Sequence, residues 1–179
     1  MKKVIIVSSS PRKNGNSETL AKKFEEGAKA SGNSTKFIEV RDLDLQFCAG
    51  CFYCQSHFGK CVRKDKMNDL YEDFRTADVL VFATPVYYYA VSGQLKTFLD
   101  RLNPLFPLDN KFKDVYLLAT AAENENYTFD GAVKDIQGWI DCFEGVSFKG
   151  VVKAGGVNDI GDINGTKYID EAYNLGKNV

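Results

Sequence analysis

The sequence predicts an α/β fold, a doubly wound five-stranded parallel sheet with helices on both faces. Short apolar runs alternate with amphipathic stretches along all 179 residues, and no repeat or Pro/Ser linker marks a domain boundary. Right-handed crossovers leave few arrangements for such an alternation, and the strand order 2-1-3-4-5 is favoured. Ligands of such sheets bind beyond the carboxyl ends of the strands, so we expect a site in the loops after strands one, three and four.

The first elements follow from apolar periodicity. The β-branched run KVIIVSS, residues 3–9, is apolar on both faces, as expected of a buried parallel strand. A helix follows in SETLAKKFEEGAKASG, where apolar residues share one face, Gly32 marks the end, and Asn16 or Ser17 is the expected N-cap. The alternating run TKFIEV, residues 35–40, predicts a second strand nearer an edge.

The same alternation continues to the end of the chain. MNDLYEDFRTA has one apolar helical face, and DVLVFAT is apolar at nearly every position, which predicts a helix and then a third strand. The expected ranges are the third strand at 78–84, a helix at 92–102, the fourth strand at 115–121, a helix at 130–142, the fifth strand at 146–152 and a last helix at 166–175.

Composition excludes several classes of function. Lysine and arginine number 23 against 24 aspartate and glutamate, which gives a net charge of −1 and no footprint for nucleic acid or an anionic membrane. The apolar run after the start is far shorter than a signal peptide or membrane span, so we expect a cytoplasmic protein whose partners are small molecules or proteins. One histidine and the absence of G-x-S-x-G and H-E-x-x-H patterns disfavour hydrolases.

The loop after strand one, SSSPRKNGNS, has the chemistry of a phosphate site. Its serine hydroxyls, its backbone N–H groups and the Arg12 guanidinium precede a helix N-terminus, where anions bind favourably. It lacks the Gly-Lys-Ser/Thr end of a nucleoside triphosphate loop and the G-x-G-x-x-G of a dinucleotide loop, so a terminal monophosphate fits better. An ordinary capped turn would explain the serines and the Asn-Gly pair but not Arg12.

The loop after strand three, TPVYYYAVSGQLKTFLDR, offers a wall for a flat conjugated ring. We expect Pro85 to end the strand, so that Val86 and the tyrosines at 87–89 lie at the same sheet edge as the phosphate loop. The alternative is that these tyrosines cover the open end of the sheet or lie in a subunit interface. Lys96 and Asp100, four residues apart on the next helix, favour an ion pair over a catalytic role.

The segment CAGCFYCQSHFGKC concentrates four of the five cysteines. They are Cys48, Cys51, Cys54 and Cys61. In a reducing compartment such clustering favours metal or redox chemistry over disulfides, and the spacing is near the C-x₂-C-x₂-C run of bacterial ferredoxins. A structural zinc site is a poorer match because zinc usually joins two Cys-x-x-Cys pairs across a longer spacer. A metal-free loop shaped by Gly50 and Gly59 is the third alternative, and Cys142 is expected to be a buried apolar residue.

Four segments together resemble the flavodoxin-like NAD(P)H-dependent FMN reductase family, which includes the iron–sulfur flavoproteins. They are SSSPRKNGNSETL, CAGCFYC…GKC…DKM, ATPVYYYAVSGQLKTFLDR and GVNDIGDI…AYNLGK, in order along nearly the whole chain. The resemblance implies a single flavodoxin-like FMN-binding domain over residues 1–179, with a cysteine-rich loop at 47–64. Ser9 departs from the family, which usually has glycine there, and its side chain bears on how closely the backbone approaches the phosphate.

The resemblance further implies how FMN is held. The FMN phosphate would be bound by Ser8, Ser10, Arg12, Asn14, Asn16 and Ser17. The isoalloxazine ring would contact Pro85, Val86, Tyr87, Tyr88, Thr120, Ala121 and Ala122. The chemistry then belongs to the flavin, with no catalytic side chain: NADH or NADPH reduces FMN, which passes electrons to a quinone, free flavin, nitroaromatic or protein acceptor. The family also implies a homodimer or homotetramer.

Two alternatives differ in what the cysteines do. In the first, the protein is an iron–sulfur flavoprotein electron carrier that receives electrons from a protein, with a [4Fe-4S] cluster on Cys48, Cys51, Cys54 and Cys61. In the second, the same four thiolates hold zinc in a binding module. If neither applies, the loop is a lid over the flavin or part of a subunit interface.

Overall fold

The computed structural model describes residues 1–179 and confirms the predicted sheet. Five long strands are parallel and, numbered along the chain, lie side by side in the expected order 2-1-3-4-5. These strands are Lys3–Ser8 (β1), Ser34–Glu39 (β2), Val79–Tyr87 (β3), Asp114–Thr120 (β5) and Ser147–Ala154 (β6). A sixth, two-residue strand, Ala90–Val91 (β4), pairs antiparallel with the end of β3 and was not predicted.

Helices cover both faces of the sheet. The α-helices are Asn16–Ala30 (α1), Tyr53–Ser56 (α2), Tyr71–Thr76 (α3), Gly93–Arg101 (α4), Asp130–Ile140 (α5) and Lys167–Lys177 (α6). Short 3₁₀ helices are Val40–Asp42, Lys66–Asp69, Asn103–Leu105 and Asn126–Phe129. None of these helices has the length and apolarity that a membrane crossing requires.

The core consists of two apolar clusters, one on each face of the sheet. On β1, Ile5 and Val7 join the cluster with α3, α4 and α5, whereas Val4 and Ile6 join the cluster with α1 and α6. Alternate residues of one strand therefore point into two separate cores. This explains why the strand is apolar at every position rather than at every second one.

Close packing of α1 against α6 depends on two glycines. A Cβ atom at Gly176 would lie 2.1 Å from the Phe24 carbonyl oxygen, and one at Gly27 would lie 2.1 Å from the Tyr173 carbonyl oxygen. Only hydrogen side chains allow the two helix backbones to approach so closely.

Two local expectations were wrong. Pro85 does not end β3, which continues to Tyr87. Pairing with β1 stops at Ala83, so β3 beyond that point has a long neighbour on one side only, where a residue without an N–H is tolerated. Cys142 is exposed rather than buried, because α5 ends at Ile140 and the chain turns outward there.

Candidate functional site

A cavity of about 170 Å³ opens at the carboxyl ends of β1, β3 and β5, where the winding of the sheet predicts a site. Most of the residues expected to hold a phosphate and a ring line it. They are Ser10, Arg12, Asn16, Ser17, Pro85, Val86, Tyr87, Thr120, Ala121 and Ala122. The walls also include residues that sequence reasoning missed, namely Gly15, Val157, Asn158 and Ile160. All four lie in segments that carried the family resemblance, Gly15 in SSSPRKNGNSETL and the other three in GVNDIGDI.

Three expected site residues do not line this cavity. Ser8 is fully buried at the end of β1. Asn14 lies in an exposed turn with a left-handed backbone, φ 56°, and its backbone N–H donates to Glu18 Oε2 at 2.8 Å. Tyr88 is completely exposed at the tip of the β3–β4 hairpin.

The N-terminus of α1 points hydrogen-bond donors at the cavity. The N-cap is Gly15, whose side chain cannot cap, so the expectation of an Asn16 or Ser17 cap was wrong. The N–H groups of the first turn therefore have no side-chain acceptor, and the buried Ser17 hydroxyl has no protein partner either. A Cβ atom at residue 15 would lie 2.7 Å from Ser10 Oγ, so glycine is needed where the loop closes on itself. Uncapped N–H groups at a helix start favour an anion.

Asn16 does not cap because its side chain binds the loop before α6. Its Nδ2 donates to the Asp159 carbonyl at 2.9 Å, and its Oδ1 accepts from the N–H groups of Gly161 and Ile163 at 3.2 and 3.4 Å. Arg12 reaches the same loop, since its Nη1 donates to the Asn158 carbonyl at 2.8 Å. The loop at 157–163 thus becomes a wall of the cavity through contacts across more than 140 residues of sequence.

Ion pairs on the buried carboxylate of Glu18 support the loop after β1. Glu18, 2% exposed, accepts hydrogen bonds from Arg41 Nη1 at 2.9 Å and Lys22 Nζ at 2.5 Å. Burial alone would raise the pKa of this carboxyl, but the hydrogen bonds from Lys22 and Arg41 lower it overall. Because Arg41 follows β2, the pair joins α1, the loop and the edge strand.

Ser9, the departure from the family pattern, points away from the cavity. Its Oγ donates to the Ala83 carbonyl at 2.9 Å and accepts from Ser92 Oγ at 3.0 Å. Ser92 in turn is the N-cap of α4, where its Oγ accepts from the Leu95 N–H at 3.2 Å. The Ser9 side chain therefore packs between β3 and α4 and does not stand between the backbone of this loop and a ligand in the cavity.

The tyrosine hairpin forms a second cavity beside the first. This cavity, about 360 Å³, is lined by Val86, Tyr88, Tyr89, Ala121, Ala122, Glu123 and Thr128. It shares Val86, Ala121 and Ala122 with the first cavity, so the two adjoin.

The turn of this hairpin is strained. Tyr88 and Tyr89 have φ of 49° and 62°, a left-handed backbone that non-glycine residues adopt at a cost. Tyr89 is held by its hydroxyl, which donates to Glu123 Oε1 at 3.2 Å, and the Glu123 charge raises the pKa of Tyr89. Gly131 makes room for the turn, because a Cβ there would lie 2.0 Å from the Tyr89 carbonyl oxygen. Tyr88 is left free while its neighbour is anchored.

The cysteine-rich loop lies away from both cavities, and none of its residues lines the first one. It is therefore not a lid over that cavity within one chain. All four cysteines, with Arg63, Arg101 and Asn103, line a separate cavity of about 60 Å³. Cys54 is buried, where it accepts a hydrogen bond from Asn103 Nδ2 at 3.0 Å and where burial raises the pKa of its thiol. Cys61 is half-buried, and the other two thiols are exposed.

The chemistry of this loop suits a cluster, although its arrangement does not yet form a ligand set. No three histidine, cysteine or acidic side chains of the chain lie close enough together to hold one metal ion. Four thiols nevertheless face one cavity, and the buried Nε atoms of Arg63 and Arg101 have no hydrogen-bond partner. Such N–H donors match the sulfurs of an iron–sulfur cluster. The residue types therefore suit an iron–sulfur cluster, but the loop must move to bring the four thiols close enough to hold one.

The ion pair expected between Lys96 and Asp100 is present. Lys96 Nζ lies 2.6 Å from Asp100 Oδ1, and both side chains are exposed, which confirms a surface pair on α4.

Comparison with known proteins shows similarity to flavoproteins. The family described as NADPH-dependent FMN reductase matches residues 2–134. An iron–sulfur flavoprotein of Methanocaldococcus jannaschii is 38% identical over 112 residues, which cover 61% of this chain and 58% of that protein. The Bacillus subtilis protein YwqN, whose name describes a proposed NAD(P)H-dependent FMN-containing oxidoreductase, is 28% identical over 90% of this chain and 88% of its own length. The chain spans about half the length of the iron–sulfur flavoproteins it matches, 58% and 46% for two of them.

Solved structures share the fold. An NAD(P)H:quinone oxidoreductase from Methanothermobacter marburgensis superposes with a TM-score of 0.74 at 18% identity, over 99% of this chain and 95% of that one. An azoreductase from Bacillus anthracis gives the same TM-score at 19% identity over the full length of both chains. At such identities the likeness shows the fold alone.

Proposed function

The chain belongs to the NADPH-dependent FMN reductase family, and on that premise we propose that it binds FMN and passes electrons from NADH or NADPH to a second acceptor. One observation carries the proposal: residues from four separate segments and an uncapped helix N-terminus converge on one cavity at the carboxyl edge of the sheet. That is where ligands of doubly wound sheets bind.

In this proposal the phosphate lies at the start of α1. Ser10, Arg12 and Ser17 line the cavity there, and the free Ser17 hydroxyl and uncapped N–H groups would donate to phosphate oxygens. Arg12 adds a charge-assisted hydrogen bond at the mouth. Ser8 and Asn14 would shape the loop from behind rather than touch the phosphate.

The ring in turn would rest on the ends of β3 and β5. Pro85, Val86 and Tyr87 form one side, and Thr120, Ala121 and Ala122 the other. These mostly apolar surfaces exclude water from the faces of a flat ring. Bound FMN would supply the hydride and single-electron chemistry, and the chain supplies the position and the dry wall.

The acceptor would enter through the adjoining cavity. Its walls include two tyrosines and the Glu123 carboxylate but no lysine or arginine, which favours flat aromatic acceptors without negative charge, such as quinones. Tyr88, fully exposed on a strained turn, would stack on such an acceptor rather than support the flavin.

A titration with FMN tests the proposal, with two neighbouring cations as a matched pair. Arg12→Ala removes a guanidinium that lines the cavity, whereas Lys13→Ala removes an exposed charge whose side chain makes no hydrogen bond or ion pair. Loss of a hydrogen bond to a charged group costs about 1.5–3 kcal/mol, so we expect R12A to weaken FMN binding roughly 10- to 100-fold and K13A to change it little. Flavin fluorescence quenching measures the affinity, and anaerobic oxidation of NADPH measures the activity.

Wild-type protein that shows no quenching at micromolar FMN would contradict the proposal. Equal losses in R12A and K13A would place the phosphate elsewhere. Riboflavin, which lacks the phosphate, should bind to R12A and wild type alike.

A second candidate is an iron–sulfur flavoprotein electron carrier with a [4Fe-4S] cluster on the cysteine loop. It is supported by the four thiols that face one cavity and by the names of several relatives. Cys48, Cys51, Cys54 and Cys61 would hold the cluster. After strictly anaerobic reconstitution we expect iron and acid-labile sulfide at about four each per chain in wild type and in Cys142→Ser, but not in Cys54→Ser. A flavin spectrum alone would exclude the cluster, and zinc without sulfide would favour the structural metal.

We further propose a homodimer or homotetramer. Large apolar side chains are exposed beside both sites, including Tyr88 next to the first cavity and Phe47 and Phe52 on the cysteine loop. Exposed groups of this kind mark interaction surfaces. Sedimentation that gives a monomer at all concentrations would refute this.

A further inference from the structure

Arg101, at the C-terminal end of α4, is the largest completely buried side chain of the protein and is 1% exposed. Its guanidinium makes a bidentate pair with Asp65, from Nη1 to Oδ2 at 2.5 Å and from Nη2 to Oδ1 at 2.9 Å. The same Nη1 donates to the Gln46 carbonyl at 2.8 Å. Burial alone would lower the pKa of Arg101, but the Asp65 carboxylate raises it, so the group stays charged.

The two partners of Arg101 bracket the cysteine-rich loop at 47–64. Gln46 is the residue before that loop, and Asp65 is the residue after it. Asp65 also accepts from the Gln46 N–H at 3.4 Å and from the Met67 N–H at 3.2 Å, where it caps the next 3₁₀ helix. One buried guanidinium therefore joins both ends of the loop to α4.

Contacts of the loop's own side chains also help to fix its shape, including Arg63 Nη1 to Gln46 Oε1 at 2.7 Å and the stacked rings of Tyr53 and His57. Its regular structure is the single turn α2, and its hydrogen bonds to the rest of the chain include Gly59 N–H to the Pro104 carbonyl at 3.3 Å and Asn103 Nδ2 to Cys54 Sγ at 3.0 Å. Asn103 and Pro104 begin the 3₁₀ helix that starts two residues after α4 ends at Arg101. The C-terminal end of α4 thus holds the loop at its ends and at its middle.

A buried ion pair of this kind is not explained by stability alone. The cost of removing both charges from water often cancels their attraction, and apolar replacements of equal size are frequently as stable. Arg101 also lines the cavity that the four cysteines share, and its buried Nε has no partner. The pair is therefore placed where it decides the geometry of the thiols.

We propose that Arg101, together with Asp65, is the positioning residue of the cysteine site. It closes the ends of the loop so that the four thiols line one cavity, and its unpartnered Nε–H would donate to a sulfur-rich group bound by them. The first part is independent of the proposed FMN site; the second rests on the iron–sulfur candidate.

The test compares three variants. The double variant Arg101→Met/Asp65→Leu replaces the pair by apolar groups of similar size, whereas Arg101→Lys keeps the charge but loses the bidentate geometry. Lys96→Gln removes an exposed cation from the same helix and is the control. For each, modification of Cys54 by a thiol reagent in the apo protein is followed by mass spectrometry at fixed pH. Near-UV circular dichroism reports the fold.

We expect Cys54 to react at least tenfold faster in the double variant and in R101K than in wild type or K96Q, with unchanged tertiary signal in the double variant. After anaerobic reconstitution, the double variant and R101K should retain less than half of the iron of wild type. If Cys54 reacts as slowly in the double variant as in wild type, Arg101 does not position the loop.

Failures of the two proposals are distinguishable. Wild type that takes up no iron would overturn the role of the Nε–H but leaves the thiol protection to decide the positioning. FMN titration of the same variants reports on the other cavity, so a wild type that binds no FMN refutes the proposed function and not the positioning role.

Discussion

Asn16 makes the sharpest prediction about how the first cavity is built. The sequence favoured Asn16 as a helix cap or a phosphate ligand, yet its amide binds three backbone groups of the loop at 159–163. Asn16→Ala would leave one carbonyl and two N–H groups without partners in a part-buried position. The variant should therefore lose stability even without any ligand.

The magnitude follows from the three distances. The bond to Asp159 at 2.9 Å is worth about 1 kcal/mol, and the two longer bonds at 3.2 and 3.4 Å share one oxygen and together add about the same. A loss of about 2 kcal/mol should lower the melting temperature of a chain of this size by roughly 4–8 °C.

The assay is urea unfolding of apo protein, with Asn126→Ala as the control. Asn126 is exposed and its side chain makes no hydrogen bond, so its replacement should change stability by less than about 0.5 kcal/mol. Apo N16A with wild-type stability, and a loss confined to FMN affinity, would refute the internal role and return Asn16 to the phosphate.

Three further predictions concern packing, charge and strain. Gly176→Ala should lower the free energy of unfolding by about 1–3 kcal/mol, because the new methyl group pushes α6 away from α1. The control is Gly138→Ala, at a helical glycine with open space around it, which should raise the free energy of unfolding by roughly 0.5–1 kcal/mol. Equal effects of the two variants in urea unfolding would refute the close contact. Folding lowers the pKa of Glu18, so the ionised carboxylate stabilises the fold above its unfolded pKa of about 4.3, and this stabilisation is lost as the pH falls through the folded pKa. The difference in the free energy of unfolding between wild type and Glu18→Gln should therefore be largest at pH 7 and should shrink toward pH 3. A difference that stays constant with pH would contradict this. Tyr88→Gly relieves the strain of a left-handed backbone, so it should not lower the midpoint of urea unfolding. The variant should raise the KM for a quinone, because the ring that stacks on the acceptor is gone. A marked loss of stability would show that the Tyr88 ring packs against the protein in solution.

The sequence by itself determined the sheet and the place of the site. The β-branched apolar run at residues 4–7 is typical of a strand buried on both faces, and a parallel order then brings the loops of β1, β3 and β5 to one edge. The placement of Ser10, Arg12 and Ser17 at this cavity could also be predicted, because it depends on residue types beside a helix start. Local pattern carries all of this information.

Tertiary structure alone decided the partners of particular side chains. Asn16 has the composition of a cap but meets a loop more than 140 residues away, and Ser9 turns toward Ser92 rather than into the cavity. Tyr88 does not line the first cavity with Val86 and Tyr87, because a strained turn holds its side chain in solvent. Arg101 appears in the sequence as one more helical cation, yet it joins Gln46 to Asp65. Such contacts depend on which distant segments the folded backbone brings within 3 Å, and no spacing along the chain records that.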